Sequence, residues 1–437
     1  MRDLWLTLLC AVLVVSQLTA CAGIGARRAE DLEVLRTDHP LIEEARLDVG
    51  VIVFDPGLPA EGDPPERVRP SIRKAESIFF SCLMRASLLE SAYWGDVRVV
   101  PSESEVSELT VRGTIVASDG AVLALDIEAT DATQRSWLKR RYETDVVEGA
   151  YLSPSADPYQ PMFNTIANDL AASLSEPDLQ QLVKLREISA LRYGAEFVPD
   201  KFDGYLEEEN GVLHPVRLPA EDDPIFLQIQ QARAYESMFV GTLDTHYENF
   251  CNEMGDSYTE WRGYAQQEAN LHRSLKRKRN LRVALIPIVI GAVVAGAFFS
   301  PVVAVDLIGA TVGAMVVTEL TSQIKELNAD AAMHESMLEE LDTSFSSEVG
   351  PLVVQTEETT VRLTGNVEQQ YQQWRHLLQQ LYAQTESLQE VNIVLEVEPV
   401  AGDVDVNSPE PVAGDVDVNS SEPVAGDVDV NSSEPSP

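Results

Sequence analysis

Basic residues are scarce. The chain has 32 Lys and Arg against 71 Asp and Glu, a formal net charge of −39, and no Lys or Arg follows Arg375. Proteins that hold nucleic acid neutralise phosphates with a basic face, so that class of partner is excluded. Histidine and cysteine are also sparse. The six histidines (His39, His214, His246, His272, His334 and His376) stand singly, and there are four cysteines. No Gly-x-Ser-x-Gly elbow, phosphate-cradling glycine loop or His-Glu-x-x-His helix occurs. The densest group of metal-type side chains is Asp244, His246, Glu248, Cys251 and Glu253. His246 and Cys251 are five apart, about 140° around a helix, so the group reads as a solvated face and no metal is expected. With 71 acids, paired carboxylates carry no information. Catalysis is therefore not expected. Disorder of the whole chain is excluded too, because 44% hydrophobic and 24% charged residues can support packing.

The amino terminus carries an address. Met1-Arg2-Asp3 precedes an apolar run from Leu4 to Val15, the length of a signal segment rather than a membrane span. It closes on Leu18-Thr19-Ala20-Cys21-Ala22-Gly23. This segment resembles the bacterial lipobox, in which the signal is cut before a cysteine that then carries lipid. The resemblance implies covalent diacylglycerol and acyl lipid on Cys21, with no other cofactor. Ala22 rather than Asp after the cysteine implies the outer membrane, periplasmic face. Cys10 would leave with the signal, so Cys82 and Cys251 remain. An oxidising periplasm permits a disulfide between them, and buried free thiols are equally ordinary.

From residue 47 the hydrophobic period alternates between strand and helix. Val49 to Phe54 reads as a buried strand closed by Asp55-Pro56-Gly57. A helix carries Ile72, Ile78, Phe79, Cys82, Leu83 and Leu89, and Val97, Val99 and Val100 form a second strand. Leu109 to Ile115 and Leu123 to Ile127 alternate about Asp119-Gly120, a hairpin signature. Trp137 to Val146 supplies a further strand, and Met162 to Leu174 a covering helix. The order is similar to the periplasmic α/β domains of penicillin-binding-protein activator lipoproteins, the curli secretion lipoprotein and the TolB amino-terminal domain. Val51-Ile52-Val53-Phe54 and Ser91 to Val100 carry that resemblance. It implies binding of protein partners without chemistry.

The second half reads as helix. Phe239, Leu243, Tyr247, Phe250, Met254, Tyr258, Trp261 and Ala265 form one stripe with almost nothing to break a helix between Phe226 and Arg282. Ile324, Leu327, Ala331, His334, Leu338, Leu341 and Phe345 step 3 and 4 alternately, and Val367, Tyr371, Trp374, Leu378, Leu381, Thr385 and Leu388 repeat that spacing. These seams predict an antiparallel coiled-coil arm. Between them, Val283 to Phe299 has no charge and Val302 to Val317 has only Asp306. Gly291, Gly296, Gly309 and Gly313, with Ala292 and Ala295, place small residues four apart. This run resembles the glycine-zipper hairpin of outer-membrane lipoproteins, implying a membrane-associated hairpin and a homo-oligomer. Arg277, Lys278 and Arg279 lie just before it and are candidates for lipid head groups.

The last segment repeats Glu-Pro-Val-Ala-Gly-Asp-Val-Asp-Val-Asn-Ser from Glu398, Glu410 and Glu422, a period of twelve. It cannot bury a core and is expected to be a disordered acidic tail. The sequence thus predicts an α+β chain divided at 1–20 (signal), 21–46 (linker), 47–180 (α/β domain), 181–225 (helix and linker), 226–282 (long helix), 283–317 (apolar hairpin), 318–390 (return helices) and 391–437 (tail). The function it implies is a non-catalytic outer-membrane scaffold or accessory subunit that meets membrane lipid and envelope proteins. A membrane-active, pore-forming oligomer with Asp306 inside is the alternative.

Overall fold

A computed structural model describes residues 27–28, 32–37, 41–60, 68–102, 106–152, 157–174, 179–220, 222–294, 332–343, 345, 351–355, 360–384 and 393–397; for 44, 272, 275–294, 383–384, 394 and 396–397 only the backbone path is described. Cys21, Gly296, Asp306, Gly309, Gly313 and the acidic repeats lie outside these residues. Gly291 falls on described helical backbone.

The alternating segments form one mixed sheet. Its strands are β1 (Arg27–Arg28), β2 (Val49–Ile52), β3 (Val97–Val100), β4 (Leu109–Ser118), β5 (Val122–Asp131) and β6 (Ser136–Asp145), in the order β1-β6-β5-β4-β2-β3. β2 runs parallel to both β3 and β4, whereas β4, β5 and β6 are an antiparallel meander. The β4–β5 turn is the expected Asp119-Gly120, with Gly120 at φ +76°, which favours glycine. A side chain there would also strike the backbone of the long helix that carries Arg262, since its Cβ would lie 2.5 Å from the Arg262 carbonyl.

One face of the sheet is apolar and carries two helices, α1 (Pro70–Ser91) and α2 (Gln160–Ala172). Leu109, Val111, Ile115, Leu125 and Ile127 point into this core with Phe80, Met84, Phe163 and Ile166. The other face of the meander is polar. There Arg141 makes a two-bond fork to Asp126 at 2.7 Å and Lys139 meets Glu128 at 3.0 Å. Alternation of this kind is what a sheet buried on one face requires.

Beyond the sheet come α3 (Leu179–Phe197), the single turn α4 (Pro199–Phe202) and a hairpin of β7 (Leu206–Glu209) and β8 (Val212–Pro215). The hairpin turns on Asn210-Gly211, both at positive φ. Helix α5 then runs 71 residues, Pro224–Val294, about 105 Å at 1.5 Å per residue. A helix over residues 332–343 (α6) and α7 (Val367–Gln384) follow, with β9 (Leu352–Gln355), β10 (Thr360–Leu363) and β11 (Val394–Val397) in a separate small sheet.

The α+β class stands, and the arm is corrected. The stripe from Phe239 to Trp261 is buried, with Tyr258 against Phe79 of the module and Phe239, Tyr247 and Phe250 against the return segments. α5 lies along β3, where Asp244 Oδ1 accepts from the Val99 N–H at 2.8 Å and Arg98 donates to the Ser237 carbonyl at 3.1 Å. The edge of the sheet is thereby covered, which removes a template for strand pairing. The return segments do pack back antiparallel: His334 stacks on Tyr264, Phe345 meets Phe250, and Trp374 lies flat on Phe239 at 4.8 Å. They do so as short helices, with β9 and β10 between them in the segment read as return helices. β11 likewise falls within the segment read as tail. The long helix is thus part of the same compact unit as the sheet.

Cys82 of α1 is bonded to Cys251 of α5, with Cα atoms 6.7 Å apart. This bridge closes 169 residues and ties the long helix to the sheet. Its loss should lower unfolding free energy by about 2–4 kcal/mol. Denaturant unfolding of Cys251→Ser, compared with the wild type under oxidising and reducing conditions, checks this: the two should coincide only when reduced.

Candidate functional site

Four buried polar knots fasten α5, and they decide what the surface beside it can do. The innermost is built on Arg262, whose side chain is 0% exposed. Its guanidinium forks onto Asp157 at 2.9 and 2.6 Å. Tyr258, Tyr159 and Tyr151 surround it at 4.3, 4.8 and 5.1 Å from the ring centres, a cation–π enclosure. Next to it Glu76 of α1 accepts from Tyr258 Oη and Ser118 Oγ, both at 2.6 Å. Burial pushes the Glu76 carboxyl up, against the opposing pull of Arg73 and of those two hydroxyls.

The second knot sits between α3, α5 and α7. Tyr193 and Tyr371 both donate to buried Glu236, at 2.8 and 2.7 Å, and Arg375 reaches Glu196 at 2.7 Å. The third is Asp244, paired with Arg85 at 2.7 Å; burial raises its carboxyl above the ordinary range. The fourth borders an open cleft.

That cleft, about 830 Å3, opens between α3 and the first turns of α5. Its walls are largely apolar, with Val183, Leu191, Phe226 and Ala234 from the two helices and Leu218-Pro219 at the rim. Arg233 at the floor donates to Glu108 Oε1 at 2.6 Å and to Ser189 Oγ at 2.9 Å. Glu108 Oε2 accepts from the Asp48 N–H at 2.7 Å, and Arg186 donates to the Arg46 carbonyl at 2.6 Å. Both arginines and Glu108 are therefore occupied within the chain. The cleft offers apolar surface with a polar floor, in the size range of sites that enclose a small ligand or an anchoring side chain.

The residues singled out from sequence fare unevenly. Asp244 and Cys251 are drawn into an ion pair and a disulfide, and His246 is partly buried with its ring held below the ordinary range by desolvation. They do not converge with Glu248 and Glu253, and no group of three potential ligands for a metal occurs among the described residues. Arg277, Lys278 and Arg279 lie on the backbone of α5. No helix among the described residues is long and apolar enough to cross a membrane, and the apolar run beyond Val294 lies outside them. Arg262, Glu76, Glu236, Glu108 and Arg233 were not singled out. The signal for Arg262 was its register: it follows Tyr258 by four, so it falls on the apolar stripe where a solvated arginine would not.

No protein family model, curated protein or solved structure matches the chain.

Two outcomes follow from the first knot. Asp157→Asn strands a buried guanidinium and should cost about 3–5 kcal/mol, while Asp157→Asn with Arg262→Met should recover part of that loss; urea unfolding of both variants is the check. Glu76 binds its proton more tightly folded than unfolded. Its contribution to stability is thus present at low pH and is lost as pH rises from about the ordinary 4.5 towards the raised folded value. In Glu76→Gln this decline should vanish, so the difference in unfolding free energy from wild type should shift in the variant's favour across that window.

Proposed function

We propose that this chain is an outer-membrane lipoprotein, acylated on Cys21, that serves as a non-catalytic scaffold in an envelope assembly. The observation that carries the reading is the continuity of α5. The helix is bolted to the sheet through Arg233, Glu236, Asp244, Cys251 and Arg262, and its backbone then continues to Val294, eleven residues beyond the start of the uncharged run. The module and the start of the apolar run, to Val294, share one helix. A chain so built positions a protein relative to a membrane.

The partner surface in this reading is the cleft, whose apolar walls suit an anchoring side chain or a short helix of an envelope protein. It lies near the start of α5. From Arg233 to Arg273 is about 60 Å of helix, so a partner held there stands clear of the bilayer. Within the apolar run, Gly291, Gly296, Gly309 and Gly313 allow close helix contact, and a homo-oligomer follows from their packing. The lipobox and the similarity to periplasmic lipoprotein domains support the same assignment.

The test is fractionation with metabolic acyl labelling. The full chain should label with palmitate and sediment with outer membrane, and Cys21→Ser should lose the label. An unlabelled wild-type chain found in the aqueous fraction overturns the anchor. A photo-crosslinking residue at Leu218, on the cleft rim, should give one discrete heavier species with an envelope protein. The same residue at Arg141, on the polar face of the sheet, should not.

A further inference from the structure

Three stretches remote in sequence meet at one end of the sheet. Arg28 of β1 lies 3.3 Å from Asp145, the last residue of β6. The turn at 146–152 follows directly. Asp119, in the β4–β5 turn beside it, faces Arg273 of α5 at 3.5 Å.

The turn itself is ordered. Gln266 of α5 donates to the carbonyls of Val146 and Val147 at 3.2 and 3.1 Å and accepts from Gly149 at 3.3 Å. Tyr151 Oη donates to the Gly120 carbonyl at 2.9 Å, and its ring covers Arg262. So braced, the turn presents Val147 and Leu152 at 77% and 80% exposure, the most exposed large apolar side chains among the described residues. A mobile loop can show apolar groups by chance of sampling. Here a fixed backbone holds two of them in water, where each forgoes most of its burial free energy.

Most of the charges beside them are paired. Asp145 and Asp119 are each matched by an arginine, and Glu148 is the acid left on the turn. Two helical turns beyond Gln266 the sequence places Arg273, Lys276, Arg277, Lys278, Arg279 and Arg282 without an acid, and the uncharged run begins at Val283. Exposed apolar side chains and a cationic stretch about 10 to 24 Å beyond Gln266 along the same helix can both meet head groups where α5 approaches a bilayer surface obliquely.

We infer that this end of the module rests on an anionic lipid surface, with Val147 and Leu152 seated among the head groups. The inference rests on the anchored reading above and adds the orientation. Cys21 is seven residues from Arg28, at most about 25 Å of chain, so an acyl anchor there keeps this end close to the leaflet. The cleft then faces away from the lipid.

The full acylated chain, reconstituted with vesicles of phosphatidylethanolamine and phosphatidylglycerol, tests this. Val147→Cys and Leu152→Cys, each labelled with a polarity-sensitive nitrobenzoxadiazole fluorophore, should brighten about threefold and shift to the blue on vesicle addition. Leu218→Cys, at the cleft, should not change. Labelled wild type sets the baseline for the native cysteines. If the chain floats with vesicles while labels at 147 and 152 stay unchanged, the orientation is wrong and the anchor stands. If no variant floats, the anchored reading fails with it. Brightening without vesicles, growing with protein concentration, would instead assign the turn to a second copy and overturn the inference.

Discussion

A guanidinium with no exposed surface is the constraint around which this fold is arranged. Taking Arg262 out of water costs several kcal/mol, and only an arrangement that supplies a carboxylate and polarizable faces at once offsets that cost. Asp157 and the three tyrosines come from the loop before α2, the turn after β6 and α5 itself. None of these can shift without exposing or stranding the charge. The helix is therefore fixed in rotation and in register against the sheet, because sliding by one residue would turn Arg262 about 100° away from Asp157.

The same logic repeats along α5. Arg233 must find Glu108, Glu236 must find Tyr193 and Tyr371, and Asp244 must find both Arg85 and the Val99 amide. Apolar packing alone tolerates slippage, since one Leu or Phe can replace another in a stripe. Charged pairs buried at intervals do not. They specify one register for a helix long enough to have many, as a buried polar residue does in a coiled coil. The disulfide at Cys251 lies between the third knot and the first, so the cross-link holds a register already chosen by electrostatics rather than imposing its own.

Much of the sheet was legible because alternation is a local signal. Leu109, Val111, Gly113 and Ile115 read as a one-sided strand, and Asp119-Gly120 named its turn. The stripe on α5 was equally plain, yet its partner was not. A step of 3 and 4 specifies that a face is buried without saying what buries it, and here β3 and α1 do so before any return helix arrives. β7 and β8 were missed because Leu206-Glu207-Glu208-Glu209 has no alternation, although Asn210-Gly211 marked the turn. β9 to β11 are four residues each, too short for periodicity to show. The knots escaped for a different reason. Glu76 looks like any surface charge until the fold buries it beside Tyr258 and Ser118, and although register set Arg262 on the apolar stripe, its pairing with Asp157 across 105 positions leaves no mark in a window of sequence.

That rigidity bears on the end of the molecule proposed to meet lipid. If α5 could hinge between Gln266 and Arg273, the helix beyond would be free to face any direction relative to the turn bearing Val147 and Leu152. Contacts at both ends of that stretch oppose a hinge: the Gln266 side-chain amide meets the turn through three hydrogen bonds, and Arg273 pairs with Asp119 at 3.5 Å. Whatever surface receives the helix beyond Arg273 is thus met by the turn as well. The sheet, the turn and the helix approach it as one body, and the cost of leaving two aliphatic side chains in water is incurred only until that surface arrives.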